Sequence, residues 1–170
     1  LDVPGGAAAT CTNVQSNVRG ISVAPDGFIW TAGGTQLARV SPDGVQVQLF
    51  NLAGASQLHD IFIDQLTGEI WVASSGNNQV LRLDSSANPI ATITAGSQPR
   101  GLAMDKNGMM WVVNQGSDDA MRIDPTSNMV DMTVALRPGS QPYNPSDMIG
   151  PKIVEVISLE GPAVTTIDAS

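Results

Sequence analysis

The sequence has little of the residue types that cross-link a chain or hold transition metals. Its 170 residues include one cysteine, Cys11, and one histidine, His59. A single cysteine forms no internal disulfide, so Cys11 is either an idle thiol or the partner of a cysteine outside these residues. One cysteine and one histidine also fall short of the ligand set of a structural zinc site. These absences exclude a disulfide-stapled domain and a Cys/His zinc module.

Positive charge is scarce as well. Eight Lys and Arg stand against 16 Asp and Glu, which gives a net charge of −8 at pH 7. Binding to nucleic acid needs clustered Lys and Arg, and so does binding to an anionic membrane surface. No apolar run reaches the roughly 20 residues that a transmembrane helix needs. We therefore expect neither a nucleic-acid partner nor a transmembrane segment.

The polar part of the sequence is mostly uncharged. Charged residues make up 14% of the chain, and only two of them are lysines, Lys106 and Lys152. This composition is common in exported bacterial proteins, so we expect an extracellular, periplasmic or cell-surface location. Any signal peptide is expected to be removed or to lie outside these residues. Nucleophile-elbow, phosphate-loop and dinucleotide motifs are absent, so hydrolase, NTPase and Rossmann chemistry has no support.

What the chain does contain is a repeat of about 40 residues. Its three tryptophans, Trp30, Trp71 and Trp111, are 41 and 40 residues apart. Each is the last residue of a segment whose sequence is similar in the three repeats. Apolar residues within each repeat alternate with a period of two, between turns rich in Gly, Asp, Asn and Pro. This pattern predicts four short strands per repeat. In the second repeat they are expected at about Ile61–Ile63, Glu69–Ala73, Gln79–Leu83 and Pro89–Thr94.

Four antiparallel strands per roughly 40 residues are typical of a β-propeller blade. The pattern of Gly20-Ile21, Asp26-Gly27 and Ile29-Trp30 returns with substitutions in the next two repeats, and in each repeat an arginine between apolar residues follows it. This pattern, over residues 18–136, resembles the propeller-repeat group that includes NHL repeats and streptogramin (virginiamycin) B lyases. The resemblance implies an all-β fold of four-stranded antiparallel blades, with about three clear blades, partial ends and a tryptophan between adjacent blades.

The repeat boundaries divide the chain into three parts. Residues 1–17 are an N-terminal extension that could supply one outer strand. The three propeller repeats occupy approximately residues 18–57, 58–98 and 99–140. Residues 141–170 contain a divergent fourth-blade start, followed by C-terminal strands that we expect to pack, with residues 3–17, against another chain.

Three blades are fewer than the four to eight of a closed propeller. Three explanations stay open at this point. The ring is completed by a second copy or by another protein chain, or the sequence is part of a longer protein. The third explanation is a self-contained four-blade ring. In the first two cases the chain alone forms an incomplete ring or part of a larger one.

The first strand of a propeller blade lines the central channel, and the residues at its start surround one mouth. Two arginines, a histidine and a tyrosine around one axis would form a pocket for an anion or a polarised carbonyl. The alternative is that the arginines bind neighbouring loop carbonyls. Aligning the repeats gives the candidate ligand-binding residues Arg19, His59, Asp60, Arg100, Tyr143 and Asn144.

His59 is the one weak candidate for a catalytic residue. The resemblance to streptogramin lyases implies a histidine at this position that acts as general base, beside acidic residues that hold Mg²⁺. In this sequence the positions that would need an acidic residue to bind Mg²⁺ are occupied by Gln57 and Ser74. Mg²⁺ prefers carboxylate oxygens, and without it little stabilises the charge that develops in an elimination. We therefore expect no catalytic residue, metal site or cofactor, with a Mg²⁺-dependent lyase as the alternative.

Two further sets of charged residues have structural interpretations. Asp118 and Asp119 could hold Ca²⁺ weakly, but a solvated loop is expected. The arginines Arg39, Arg82 and Arg122 recur at equal offsets, which indicates an architectural role. We expect them to pair with the turn carboxylates Asp43, Asp84 and Asp124.

These observations favour an exported, non-catalytic propeller module that binds a ligand or a protein, or that serves as an assembly subunit. Its expected partners are a second copy or another chain that completes the ring, and a small anionic or carbohydrate ligand. The alternatives are the lyase and a carbohydrate-binding module with one sugar at each blade interface. The second alternative is weakened by an aromatic content of only 4%.

Overall fold

The computed structural model describes residue 15 and residues 17–143, which form twelve strands in three antiparallel sheets. Blade 1 contains β1 (Val18–Val23), β2 (Ile29–Gly33), β3 (Gln36–Val40) and β4 (Val47–Asn51). Blade 2 contains β5 (Leu58–Ile63), β6 (Ile70–Ser74), β7 (Gln79–Leu83) and β8 (Pro89–Thr94). Blade 3 contains β9 (Pro99–Met104), β10 (Met110–Asn114), β11 (Asp119–Asp124) and β12 (Met129–Ala135).

Each blade is a simple meander in which consecutive strands pair. The hairpin between the first and second strands turns at Gly27, Gly68 and Gly108, whose φ values are 81°, 74° and 80°. A positive φ carries no steric penalty at glycine, and an aspartate before each glycine caps the turn. In the first hairpin, Asp26 accepts a hydrogen bond from the Phe28 amide at 3.0 Å. The prediction of four-stranded antiparallel blades is confirmed.

The two faces of blade 2 pack against different neighbours, blade 1 and blade 3. In the seam between blades 1 and 2, Trp30 packs in one cluster with Leu58, Ile61 and Ile63 of β5. In the seam between blades 2 and 3, Trp71 packs with Leu102 of β9. Both tryptophans are almost fully buried. Each of these two seams is therefore filled by apolar side chains.

The third tryptophan has a different environment. Trp111 is partly exposed, and its indole Nε1 donates to Asp105 Oδ2 at 3.1 Å. The expectation of a tryptophan between adjacent blades is met by Trp30 and Trp71, whereas Trp111 has a described blade on one side only. The reason is that no blade follows blade 3 within the described part of the chain, so the seam that Trp111 would fill has only one wall.

The three repeated arginines do not bind the turn carboxylates named above. Arg39 pairs with Asp26 at 2.7 Å, Arg82 with Glu69 at 2.7 Å, and Arg122 with Asp131 at 2.9 Å. Each guanidinium lies near the tryptophan ring of its own blade, which directs it to carboxylates beside that ring. The turn carboxylates instead accept hydrogen bonds from nearby amides in their own turns. They are Asp43, Asp84 and Asp124.

Predictions for the chain ends fall outside the described residues. They concern Cys11, most of the N-terminal extension, Asn144 and the C-terminal strands of 152–158 and 163–168. Among the residues that are described, no helix has the length and apolarity to span a membrane.

Candidate functional site

The first strands of the three blades lie side by side, with β5 between β1 and β9. The approach of β1 to β5 is close because Gly20 has no side chain. A Cβ at Gly20 would lie 2.9 Å from the Cα of Asp60 and 2.9 Å from the carbonyl oxygen of His59. The starts of the three strands therefore meet at one end of the inner side of the blades, which we call the axial end.

A β-bulge occurs near the start of each of these strands. The pairing with the second strand shifts at Arg19 in β1, at His59 and Asp60 in β5, and at Arg100 in β9. A bulge re-aims the side chains that it carries, and it interrupts the period-two alternation. This explains why β5 begins at Leu58, three residues before the predicted start. It also brings the residues chosen by the repeat alignment to the axial end.

The residue two positions before each candidate residue, Arg19, His59, Arg100 and Tyr143, has a left-handed backbone. The φ values are 57° at Asn17, 49° at Gln57, 54° at Gln98 and 42° at Gln141. A non-glycine residue with positive φ is uncommon, so its return at four equivalent positions marks a conserved local geometry among the repeats. The segment before Tyr143 thus begins in the same way as the first strands of blades 1 to 3.

Asp118 holds this fourth segment in place. Its carboxylate accepts hydrogen bonds from the amides of Gly139 and Gln141, both at 2.7 Å. The neighbouring Asp119 is buried and accepts from Asn114 Nδ2 at 2.6 Å. The expectation of a solvated loop is wrong at Asp119, which is buried, whereas Asp118 lies in an exposed loop and orders the following segment through its hydrogen bonds.

His59 is the most enclosed of the candidate residues. Only 2% of its surface is exposed, and its ring lies edge-on to Tyr143 with 5.4 Å between ring centroids. Burial, followed by the positive charges of Arg100 and Arg19, lowers the pKa of His59 from 6.5 to about 4. The imidazole is therefore neutral at pH 7. Its Nε2 is buried and has no hydrogen-bond partner among the described residues.

Arg100 is fixed beside this histidine. Its Nε donates to Gln115 Oε1 at 2.9 Å, and its Nη2 donates to Gln98 Oε1 at 3.3 Å. Its remaining nitrogen, Nη1, is buried without a partner in the part of the chain that the structure describes. The guanidinium carbon lies 5.9 Å from the Tyr143 ring centroid. Burial and the charge of Arg19 lower the pKa of Arg100, which still leaves it a cation.

Asp60 has a structural role at the axial end. The side chain is buried, its Oδ1 accepts from the Ile61 amide at 2.9 Å, and its Oδ2 accepts from the Leu102 amide at 2.8 Å. Leu102 belongs to β9, so this carboxylate ties blade 2 to blade 3. The structure thus brings His59, Arg100 and Tyr143 together, directs Asp60 to backbone amides and leaves Arg19 exposed. Asn144 is outside the described residues.

The cluster does not have the donor set of a magnesium site. Within residues 15 and 17–143, no three His, Cys, Asp or Glu side chains are grouped so that they could hold a metal ion. Ser74 occupies a position that would need an acidic Mg²⁺ ligand. Its hydroxyl accepts a hydrogen bond from the Ser56 amide and donates one to the Ser56 carbonyl oxygen. The charges that lower the pKa of His59 are those of Arg100 and Arg19, which repel a cation, and the nearby Asp60 carboxylate accepts from backbone amides. This arrangement is suited to hold an anion.

A second concave feature lies at the opposite end of the first strands. A cavity of about 200 Å³ opens between the hairpins of blades 1 and 2, and it is lined by Pro25, Asp26, Trp30 and Leu66 among others. The repeat pattern gave no sign of it, because it is formed by loops of different repeats. Its carboxylate, Asp26, is already paired with Arg39.

Comparisons with known proteins agree with the fold. No protein-family model matches the sequence, and no curated protein matches it. Among solved structures, the virginiamycin B lyase from Staphylococcus aureus is similar with a TM-score of 0.66 and 19% identity, over 79% of this chain and 46% of that chain. The WD40 β-propeller domain of Doa1 gives a TM-score of 0.62 with 11% identity, over 70% and 40% of the two chains.

A third match is the nidogen/laminin complex, with a TM-score of 0.63 and 12% identity over 76% of this chain and 51% of that one. All three identities are low, so the similarities establish the β-propeller fold and no activity. This chain spans about half the length of the proteins that it matches.

Proposed function

We propose that this chain is an exported, non-catalytic β-propeller module that binds a small anionic ligand at the axial end. The observation that carries the proposal is a pair of buried nitrogens, Nε2 of His59 and Nη1 of Arg100, that have no hydrogen-bond partner among the described residues. A buried polar atom without a hydrogen bond costs about 1–3 kcal/mol, and native structures rarely leave two together. A bound carboxylate would accept from both, from His59 in its Nε2–H tautomer.

The charges at this end favour the same class of ligand. Arg100 and Arg19 are close enough to His59 to lower its pKa, so two cations act on one small region of an acidic protein. Arg100 is already oriented by two glutamine side chains, which reduces the entropy lost on binding. Tyr143 supplies an aromatic edge beside both. Export is supported by the low lysine content and the uncharged polar composition.

The partner in this proposal is a set of further blades, from a second copy or from another protein chain, that completes the ring. Propellers close with four to eight blades, and the structure describes three. The ring would then place further residues around the axial end and determine how wide the ligand site is.

Calorimetric titration with small carboxylates, beginning with succinate, tests the ligand site. We expect binding that Arg100→Gln weakens at least about tenfold, since a charge-assisted hydrogen bond contributes about 1.5–3 kcal/mol. Lys106→Gln is the matched control, because it removes one positive charge at the hairpin end. Equal affinities in the two variants, or no binding to any carboxylate of the series, would contradict the proposal.

A lyase is the second candidate. One observation favours it, since a neutral histidine with a free Nε2 is what a general base requires at pH 7. The absence of a suitable magnesium ligand set in the described region argues against it. Incubation with a streptogramin B antibiotic and Mg²⁺ tests this candidate. A ring-opened product that disappears in His59→Ala would favour the lyase over the binding module.

A further inference from the structure

Two arginines at the axial end differ from the arginines of the third strands, because they have no carboxylate partner among the described residues. Arg39, Arg82 and Arg122 each form an ion pair, whereas Arg19 and Arg100 form none. The carboxylates of the axial end accept hydrogen bonds from amide groups instead, and they are Asp60, Asp118 and Asp119. The axial end thus holds two cations that no described carboxylate contacts.

These two arginines lie on opposite sides of His59. Strand β5 is between β1 and β9, and the three residues occupy equivalent bulges at the starts of these strands. The backbones of β1 and β5 are close at this point, since a Cβ at Gly20 would lie 2.9 Å from the carbonyl oxygen of His59. The order across the axial end is therefore Arg19, His59 and Arg100.

The buried donors on one side of this row match a single carboxylate group. Nε2 of His59 and Nη1 of Arg100 each lack a partner in the described region, and a carboxylate has two oxygens to accept from them. The other two nitrogens of the Arg100 guanidinium already donate to Gln98 and Gln115. One bound carboxylate therefore offsets the charge of Arg100 and leaves the charge of Arg19 in place.

Arg19, on the other side of the row, is open to a second anionic group. Its side chain is exposed, and no described residue forms a hydrogen bond or an ion pair with it. Its charge nevertheless acts on the site. Burial lowers the pKa of Arg100, and the charge of Arg19 lowers it further, while burial and both arginines lower the pKa of His59. A ligand held by His59 and Arg100 would therefore have a free cation near its other end.

We propose that the ligand of the axial end is a dicarboxylate, with one carboxylate held by His59 and Arg100 and the other by Arg19. This inference rests on the proposed anion site and names the class of its ligand. Arg19 is exposed, so the outer carboxylate stays partly hydrated and gains less from its ion pair than the buried carboxylate does. Arg19 is therefore a specificity residue, which selects a diacid over a monoacid.

Calorimetric titration at pH 7 with the linear diacids from malonate to adipate, each compared with its monoamide, tests this inference. The monoamide keeps the length of the diacid and a polar end but loses one charge. The best-binding diacid should bind the wild-type chain about fivefold or more tightly than its monoamide. About twofold of this ratio is statistical, because either carboxylate can enter first. In Arg19→Gln the ratio should fall to about this statistical twofold.

The matched control is Arg137→Gln, which removes the same charge from another exposed arginine that forms no ion pair in the described region. It should keep the wild-type ratio. A ratio near the statistical value for every diacid would overturn the inference, and so would a ratio that Arg19→Gln leaves unchanged or that Arg137→Gln lowers equally. In each of these cases carboxylate binding that Arg100→Gln weakens would still support the anion site. Absence of binding to any carboxylate would contradict both proposals.

Discussion

Strands β1 and β5 occupy the same position in consecutive repeats, yet they have opposite environments. Both have an apolar residue at each of two alternate positions, Ile21 and Val23 in β1 and Ile61 and Ile63 in β5. The first pair is half exposed and the second is buried. Among the described residues, β5 has a blade on each side and β1 has one on a single side. Burial in this fold is therefore set by the neighbouring blade and not by the strand's own sequence.

The largest expected effect tests this comparison at the tryptophans. Trp71→Ala should lower the free energy of unfolding by about 3–5 kcal/mol, because it leaves a cavity in a closed seam. Trp111→Ala should lower it by only about 1–2 kcal/mol, because the side chain is already partly in water. Urea unfolding of dilute protein, in which associated copies are separated, measures the unfolding free energy of both variants. Equal losses would mean that Trp111 is covered as completely as Trp71.

The strand comparison itself is tested by truncating equivalent isoleucines. Ile61→Ala should destabilise the protein by about 2–4 kcal/mol, as expected for a buried isoleucine. Ile21→Ala should change the stability of the separate chain by less than about 0.5 kcal/mol, as expected for a surface position. The same urea experiment at low concentration gives both values. A large loss for Ile21→Ala under these conditions would show that the chain covers its own blade 1 face.

The close approach of β1 to β5 predicts a smaller effect. Gly20→Ala should cost about 1–3 kcal/mol, because the new Cβ would lie 2.9 Å from backbone atoms that cannot move independently. Arg19→Ala, next to it on the same strand, is the control and should be nearly neutral to folding. Thermal unfolding of the two variants should rank them in this order. A neutral Gly20→Ala would mean that the two strands separate easily.

The smallest effect concerns the titration of His59, which is buried, whereas the equivalent Arg19 of blade 1 is exposed. The pKa of His59 in the folded chain, about 4, lies below its ordinary value of 6.5, so the unfolded chain takes up the proton first as the pH falls. The stability that depends on neutral His59 is complete above pH 6.5 and is lost toward pH 4. We expect a loss of about 1–2 kcal/mol, which allows for solvent screening of the charges.

His59→Gln removes this titration and keeps a polar side chain. The difference in unfolding free energy between wild type and variant should therefore change between pH 6.5 and 4, while the titration of the carboxylates is common to both. A difference that is constant over this range would show that His59 titrates in the folded chain near its ordinary pKa.

The repeat pattern was sufficient to predict the blades and the location of the axial residues, but it could not predict their partners. The alignment placed Arg19, His59 and Arg100 at equivalent positions, and each lies at a bulge of its first strand. The alignment did not indicate that Asp60 accepts a hydrogen bond from the amide of Leu102 in the next blade. A bulge shifts the register by one residue, and sequence alternation does not reveal which of two adjacent side chains it turns inward.

The same limit explains why the carboxylate partners of the repeated arginines were predicted incorrectly. Equal offsets predicted an architectural role for Arg39, Arg82 and Arg122 but gave the wrong carboxylates. Arg39 and Arg82 pair with carboxylates that precede the tryptophan, Asp26 and Glu69, whereas Arg122 pairs with Asp131 on the outer strand. A long, flexible cation binds whichever carboxylate lies beside it in space. That choice depends on the lateral pairing of strands, which a repeat period does not specify.

By itself, the sequence determined the local structure of this protein. A period of two, positive-φ glycines in the hairpins and one tryptophan per 40 residues are properties of short segments, and they specify a four-stranded blade wherever they occur. The tertiary structure alone decided what is buried, which carboxylate each arginine meets and why His59 is neutral. These properties depend on atoms contributed by a neighbouring blade, and equivalent residues in successive repeats differ in the neighbours that they have.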